Sequence, residues 1–216
     1  AFHDGVDIHT ITAMEINGVG AEEVTSLMRR QAKAINFGIL YGQGPHGLSR
    51  TADIPYARAK EFIDNYFASF PNIKKFVDEA IEKAREKGYA ETIFGRRRFL
   101  LEINSLVMQV RKAAERMAIN TPLQGTAADM IKAAMIEVSQ MIGGLKVNNN
   151  ESNNIKMLLQ VHDELLFEVR ADKVEEAAEE IKKIMESRVL GIKLKVPIVV
   201  DAKVGENWGE MEEIKK

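Results

Sequence analysis

The period of the apolar residues changes once along this chain, and that change limits the folds it can adopt. Up to about residue 142, apolar side chains recur at three- and four-residue steps, as in helices that cover a core. From residue 155, short apolar runs rich in strand-forming residues replace them. Two of these runs, 155–161 and 165–170, are separated only by His162-Asp163-Glu164, which predicts an antiparallel hairpin. The order of helices and strands indicates an α+β protein with an antiparallel sheet.

Capping residues, prolines and glycines divide the chain into elements. Thr126, with Asp129 three residues later, is predicted to cap a helix that ends at Gly143-Gly144. Pro122 is predicted to interrupt the helix before it, because proline disfavours helical geometry in the preceding residue. The remaining expectations are helical segments within 21–41, 55–87, 105–120 and 172–188, a short hairpin or irregular arm within 88–104, a polar surface loop over 148–154, and a strand over 193–200.

The turn between the two strands carries the sharpest chemical signal. Asp163 and Glu164 lie side by side at the polar tip of an otherwise apolar hairpin. A nearby cation stabilises neighbouring carboxylates, and Mg²⁺ suits one or two carboxylates completed by substrate phosphates. The alternative is an ordinary acidic turn, because Asp is favoured in turns. His162 is a weaker signal, since a lone histidine is more often structural than a ligand or a base.

A second pattern lies within 29–42, RRQAKAINFGILYG, where Arg29, Lys33, Phe37 and Tyr41 follow one another at four-residue steps. On a helix these four side chains share one side and span roughly 18 Å of its axis. The two cations suit the phosphates of one anion, and an aromatic ring beyond them suits an attached base or sugar. A nucleoside triphosphate carries its groups in that order. The alternative is that the two rings belong to the core and the cations are solvated.

Composition adds few limits. The 216 residues suffice for one or two small domains, and the absence of cysteine excludes disulfides and thiolate metal sites. No apolar run approaches the length of a membrane span. The net charge of −2 is distributed unevenly, because residues 26–60 hold six Lys/Arg against one acid while residues 157–216 hold fourteen acids against ten bases. This uneven distribution of charge fits a cleft with one basic and one acidic side, and it also fits ordinary solvated helix faces.

Taken together, these motifs resemble the family A DNA polymerases, the group of bacterial DNA polymerase I. The run 29–42 is similar to the family's fingers helix, and VHDEL at 161–165 is similar to the palm hairpin that carries a catalytic aspartate. The runs DIHT (7–10), GYAETIFGRRR (88–98) and ERMAINTPLQGTAADMIK (115–132) are also family-like. The matches follow the family's order along nearly the whole chain.

The resemblance implies a right-hand polymerase with helical fingers over 1–115 and the C-terminal part of the palm over 116–216. It implies DNA synthesis with two Mg²⁺ ions, one held by Asp163, with Glu164 in a supporting role. Arg29 and Lys33 would hold the triphosphate with help from His9, Phe37 would stack on the sugar and base, and Tyr41 would close over the templating position. The residues implied to contact primer and template are Arg116, Asn120, Gln124 and His162.

One departure from the family pattern concerns the strand with the other essential aspartate, which in the family lies a short distance upstream of this sequence. We therefore expect a C-terminal fragment that lacks the first palm segment, thumb and nuclease domains. Its expected partners are primer–template DNA, dNTPs and the upstream polymerase segment, with no membrane, in a bacterial-type cytoplasm near the nucleoid. Alone, the fragment is expected to be inactive.

Three alternatives remain open on the residues. A single-subunit RNA polymerase shares the palm architecture, and a truncated polymerase that only grips DNA would lack catalysis. A phosphohydrolase using His162 and Asp163 as metal ligands would need further ligands, and the sequence has only four histidines.

Overall fold

A computed structural model of the chain describes residues 7–148, 154–186 and 194–214. The chain divides into two compact units, 1–126 and 127–216.

The first unit begins with four helices around one core. They are α1 (Ile8–Asn17), α2 (Ser26–Leu40), α3 (Pro45–Ala52) and α4 (Tyr56–Ser69). Asp7 and Thr25 start α1 and α2 by accepting hydrogen bonds from backbone N–H groups of the first turn. The buried side chains of this core are Ile35, Ile39, Leu48, Ala52, Ala59 and Tyr66.

The helical segments predicted from the sequence are present, but two are divided. Within 21–41, a 3₁₀ turn (Ala21–Glu23) precedes α2. Within 55–87, Phe70 has a non-helical backbone that separates α4 from α5 (Pro71–Lys87), and Pro71 takes the first helical position.

The predicted arm after α5 is a hairpin, as expected. Strand β1 (Tyr89–Glu91) pairs antiparallel with β2 (Arg97–Phe99), and α6 (Met108–Asn120) follows. Together with α5, these elements form a second core. Its buried members are Ala84, Ala90, Leu100, Ile103, Ala114 and Ala118.

The predictions around Pro122 and Thr126 were wrong. A π-helical turn (Thr121–Gly125) carries the chain through Pro122 into α7 (Thr126–Asn148) without an interruption. Thr126 is itself helical, and its hydroxyl accepts a hydrogen bond from the Ile93 N–H across the arm instead of capping a helix. Gly143-Gly144 does not end α7, which continues to Asn148.

The second unit contains the predicted hairpin, with β3 (Ile155–Val161) antiparallel to β4 (Glu164–Val169) and a bulge between Met157 and Leu159. Helix α8 (Val174–Glu186) follows a 3₁₀ turn (Ala171–Lys173). The core residues come from α7, the hairpin and α8. The buried ones are Val138, Ile155, Ala177 and Ile181.

The strand predicted over 193–200 is not formed in its described part, 194–200. The chain instead forms a short antiparallel pair later, β5 (Lys203–Val204) with β6 (Glu212–Glu213). Residues 149–153, which make up most of the predicted polar loop 148–154, lie outside the described residues. The end of the helix predicted over 172–188 also lies outside them. Within the described ranges, no helix is long and apolar enough to cross a membrane.

Candidate active site

Helix α2 presents the cation–aromatic stripe on its outer side. The side chains that α2 buries are Ala32, Ile35, Asn36 and Ile39. Arg29, Lys33 and Phe37 are exposed, with Phe37 39% accessible, so Phe37 is not a core residue. The Phe37 and Tyr41 rings stack with centroids 5.9 Å apart, and Lys33 Nζ lies 5.8 Å from the Phe37 centroid. The stripe is therefore a continuous surface of charge followed by rings.

The C-terminal end of α2 packs against α6. Gly42 follows the helix with a φ of 76°, and a Cβ there would lie 2.9 Å from Ile119 Cδ1 and 3.4 Å from Arg116 Cγ. Only glycine allows this close approach without strain. The aromatic end of the stripe thus lies beside the helix that carries Arg116, so the first unit brings the predicted nucleotide and DNA ligands onto adjoining elements.

Asp7 joins the start of α1 to the stripe. Its carboxylate accepts hydrogen bonds from the His9 N–H and the Thr10 hydroxyl, and Arg29 Nε donates to Asp7 Oδ2 at 2.6 Å. The Arg29 guanidinium and the Thr10 hydroxyl hold the pKa of Asp7 well below its usual range. Asp7 therefore remains a carboxylate that orients Arg29. Sequence reasoning missed this residue as a member of the site, although Asp is one of the residues favoured at a helix start.

His9 lies where α1 meets the stripe. Its ring is 5.7 Å from that of Phe37, and its Nδ1 is 3.1 Å from the amide nitrogen of Asn36. Burial lowers the pKa of His9, and although Asp7 opposes this effect, Arg29 and Lys33 reinforce it. These effects together favour the neutral His9 ring over the imidazolium.

Three predicted DNA ligands follow one another on α6 and the π-helical turn. Arg116 and Gln124 are exposed. Asn120 Oδ1 is buried and has no hydrogen-bond partner, the one such side-chain atom among the described residues. An unpaired buried acceptor is costly, so Asn120 is suited to receive a donor from a ligand or another segment.

The acidic hairpin lies in the second unit. Val161 pairs with Glu164, so His162 and Asp163 form a two-residue turn, and His162 has a left-handed φ of 52°. Gln160 Nε2 donates to the His162 carbonyl at 2.5 Å, which fixes the turn. The side chains of His162, Asp163 and Glu164 are all exposed.

Two carboxylates next to each other on a rigid turn fit a hard cation that takes its other ligands from substrate or water. Within the described residues, no group of three or more potential ligands forms a preformed metal site. The hairpin on its own therefore presents two exposed carboxylates and not a complete set of metal ligands.

Comparisons with known proteins decide the family. The family model described as DNA polymerase family A matches residues 1–210. The chain belongs to DNA polymerase family A. It is 46% identical over 208 residues to DNA polymerase I of Geobacillus stearothermophilus, covering 96% of this chain and 23% of that protein. It is 45% identical over 207 residues to the thermostable DNA polymerase I of Thermus aquaticus, covering 96% and 24% respectively.

A solved structure matches as well. The polymerase domain of Pol1 from M. smegmatis, in complex with DNA primer–template and dNTP, superposes with a TM-score of 0.80 at 39% identity, over 91% of this chain and 33% of that one. The predicted α+β polymerase fold is confirmed by this match. The family A chain spans about a quarter of the length of the curated relatives it matches.

Proposed function

We propose that this family A chain carries the nucleotide-binding surface and one metal-binding carboxylate of a template-directed DNA polymerase. The reaction is nucleotidyl transfer from a dNTP to a primer 3′-hydroxyl. The observation that carries the proposal is the exposed order of cations and rings along α2, which matches the order of groups in a nucleoside triphosphate.

Each member of the stripe has a role that its contacts support. Arg29 and Lys33 bind the triphosphate tail, and the Asp7 carboxylate orients Arg29 for that contact. Phe37 stacks on the sugar and base, with an exposed face to offer. Tyr41, stacked on Phe37 at the helix end, covers the templating position.

The DNA contacts follow from the neighbouring elements. Arg116, which lies beside the end of α2, and Gln124 are both exposed, and both bind primer or template. Asn120 uses its buried, unpaired Oδ1 to accept a hydrogen bond from the bound duplex. His162 contacts the primer end from the hairpin.

Asp163 is the proposed Mg²⁺ ligand, with Glu164 supporting it. When bound, a pair of such ions activates the primer hydroxyl and stabilises the leaving pyrophosphate. The protein's own part is to hold Asp163 on a fixed turn and to align the triphosphate along α2.

The second carboxylate is proposed to come from the upstream polymerase segment. A cleft of about 780 Å³ lies within the second unit between β4, α8 and residues 199–214, with Asp163 and Glu164 at its wall. Val199, which also lines the cleft, is 74% exposed. A strand of the upstream segment inserted here would cover Val199 and bring its own carboxylate next to Asp163. The division into fingers (1–115) and palm (116–216) is part of the same proposal.

Primer extension tests the proposal, using this chain alone and a polymerase that also contains the upstream segment. We expect extension only from the longer protein. In it, Asp163→Asn should abolish synthesis with DNA binding retained, because the change removes a metal ligand and preserves shape. Lys33→Ala should raise KM for dNTP about tenfold or more through loss of a charged phosphate contact.

Two control variants match these changes. Lys74, on α5, has its Nζ 6.0 Å from the Phe67 ring centroid, much as Lys33 lies over Phe37 on α2. Asp172 is an exposed acid outside the hairpin turn. Lys74→Ala and Asp172→Asn should leave synthesis unchanged. Near-normal turnover in Asp163→Asn, or equal effects of the two lysine variants, would overturn the assignment.

A further inference from the structure

Asn36 is a polar side chain buried on the inner side of α2. It is 7% exposed and lies against α1. Its amide nitrogen is 3.4 Å from the Ile8 carbonyl oxygen and 3.1 Å from His9 Nδ1, and its Oδ1 is 3.1 Å from the Thr12 hydroxyl. A buried amide with three partners has a definite orientation, and that orientation determines which His9 nitrogen can carry a proton.

The Ile8 carbonyl, which also accepts a hydrogen bond from the Thr12 hydroxyl at 2.9 Å, favours one orientation of the Asn36 amide. A carbonyl oxygen only accepts, so the side of Asn36 that faces it must be the donating NH₂ group. The reverse orientation would place Asn36 Oδ1 3.4 Å from the Ile8 oxygen with no proton between them. The second amide hydrogen then points at His9 Nδ1, which must accept it.

An accepting Nδ1 leaves the single proton of the neutral His9 ring on Nε2. Protonation of Nδ1 would set two donors against each other at 3.1 Å. The charged groups around the ring are Arg29 and Lys33, which disfavour an imidazolium, and Asp7, which favours it.

We propose that Asn36 is a positioning residue that holds His9 as a neutral Nε2–H donor for a phosphate oxygen of the incoming nucleotide. The inference rests on the proposed nucleotide site of α2. Arg29 and Lys33 supply the positive charge there, and His9 adds a directed hydrogen bond from its neutral ring.

The tautomer is measured directly by ¹⁵N NMR of the histidine rings in the 216-residue chain. We expect His9 to show an unprotonated Nδ1 and a protonated Nε2, with exposed His46 as an internal reference. Asn36→Asp replaces the donor with an acceptor, so it should move the His9 proton to Nδ1. A protonated Nδ1 in the unsubstituted chain would overturn the proposal, whatever the enzyme's activity.

Kinetics in the polymerase with the upstream segment tests the consequence. His9→Ala and Asn36→Ala should each raise KM for dNTP, by up to about tenfold, and the double variant should be no worse than His9→Ala alone. Asn36→Asp should make KM depend on pH between about 6 and 8, because only the protonated ring then donates from Nε2.

Asn17 is the matched control, because its amide also donates to a backbone carbonyl of α1, that of Ala13, without contacting a histidine. Asn17→Ala should leave KM unchanged. Additive effects of the His9 and Asn36 variants, or a normal KM in His9→Ala, would overturn the proposal. Lys33→Ala separately tests the nucleotide site itself, so a failure of one inference is distinguishable from a failure of the other.

Discussion

Glu115 offers the sharpest test of what holds the first unit together. It lies on α6, its side chain is only 6% exposed, and Arg85 Nη2 donates to it from α5 at 2.6 Å. Lys112 Nζ donates at 2.8 Å, and Arg111 Nε lies 4.0 Å away. One buried carboxylate thus links α5 to the helix that carries Arg116 and Asn120. We predict that Glu115→Gln destabilises this pair of helices.

The size of the stability loss depends on which groups remain buried after Glu115→Gln. Hydrogen bonds to charged groups contribute about 1.5–3 kcal/mol each, but the Gln amide keeps part of them. Arg85 and Lys112 are about half exposed and regain water when the charge is removed, so no buried charge is stranded. A loss of about 1–2 kcal/mol is therefore expected, or a roughly 5–30-fold larger equilibrium constant for opening.

The effect should depend on pH. Burial alone raises the pKa of a carboxyl, but hydrogen bonds from Lys112 and Arg85 outweigh it, so the pKa of Glu115 lies below its usual range. A carboxyl with a lowered folded pKa stabilises the fold above its unfolded pKa, and this contribution is lost as pH falls through the folded pKa. The stability difference between the unsubstituted chain and the Glu115→Gln variant should be full at neutral pH and shrink below about pH 4.3.

Hydrogen exchange of the α5 and α6 amides measures this, because a chain of two units need not unfold in one step. Glu79→Gln is the control, since Glu79 is an exposed acid on α5 that pairs with Lys83, and such surface pairs contribute little. Equal exchange rates in the two variants, or a Glu115→Gln effect that persists undiminished in acid, would refute the reasoning.

Two further predictions concern α2. Phe37→Tyr should raise the dideoxynucleotide-to-dNTP ratio of kcat/KM by at least about tenfold. The reason is that a hydroxyl on this exposed ring can replace the hydrogen bond of the missing 3′-hydroxyl. An unchanged ratio would place Phe37 away from the sugar. Gly42→Ala should destabilise the first unit by about 1–3 kcal/mol through its positive φ and the approach to Ile119, measured by hydrogen exchange of the α2 and α6 amides. Gly143→Ala, with open space and a helical backbone, should not destabilise the second unit.

The elements that the sequence predicted well are those whose signals are local. The 155–161 and 165–170 runs are separated by only three residues, and the observed register pairs Val161 with Glu164, which leaves a two-residue turn. Pro71 starts α5 because proline fits a first helical turn whatever lies around it. The signal for the stripe of cations and aromatic rings also lies within one helix, and the structure places Arg29, Lys33 and Phe37 on its exposed side.

The predictions that failed depended on partners elsewhere in the chain. Thr126 has a capping residue's chemistry, but its hydroxyl accepts from Ile93, which is 33 residues away. The π-helical turn accommodates Pro122 without breaking the helical path, so a local rule for proline did not apply. The strand expected over 193–200 has β-forming residues, yet a strand needs a neighbour, and none pairs with its described part.

The same distinction separates the ligands from their supports. A residue proposed to contact the nucleotide, such as Lys33, can be recognised from residue type and spacing, because charge and periodicity are properties of one helix. Asn36 and Asp7 do not, because Asn36 acts on His9 across 27 residues of sequence and Asp7 on Arg29 across 22. Their roles arise only when α1 packs on α2, which sets an amide against a ring nitrogen and a carboxylate against a guanidinium. Residues that orient a site are therefore found from packing, whereas residues that contact its ligand are found from pattern.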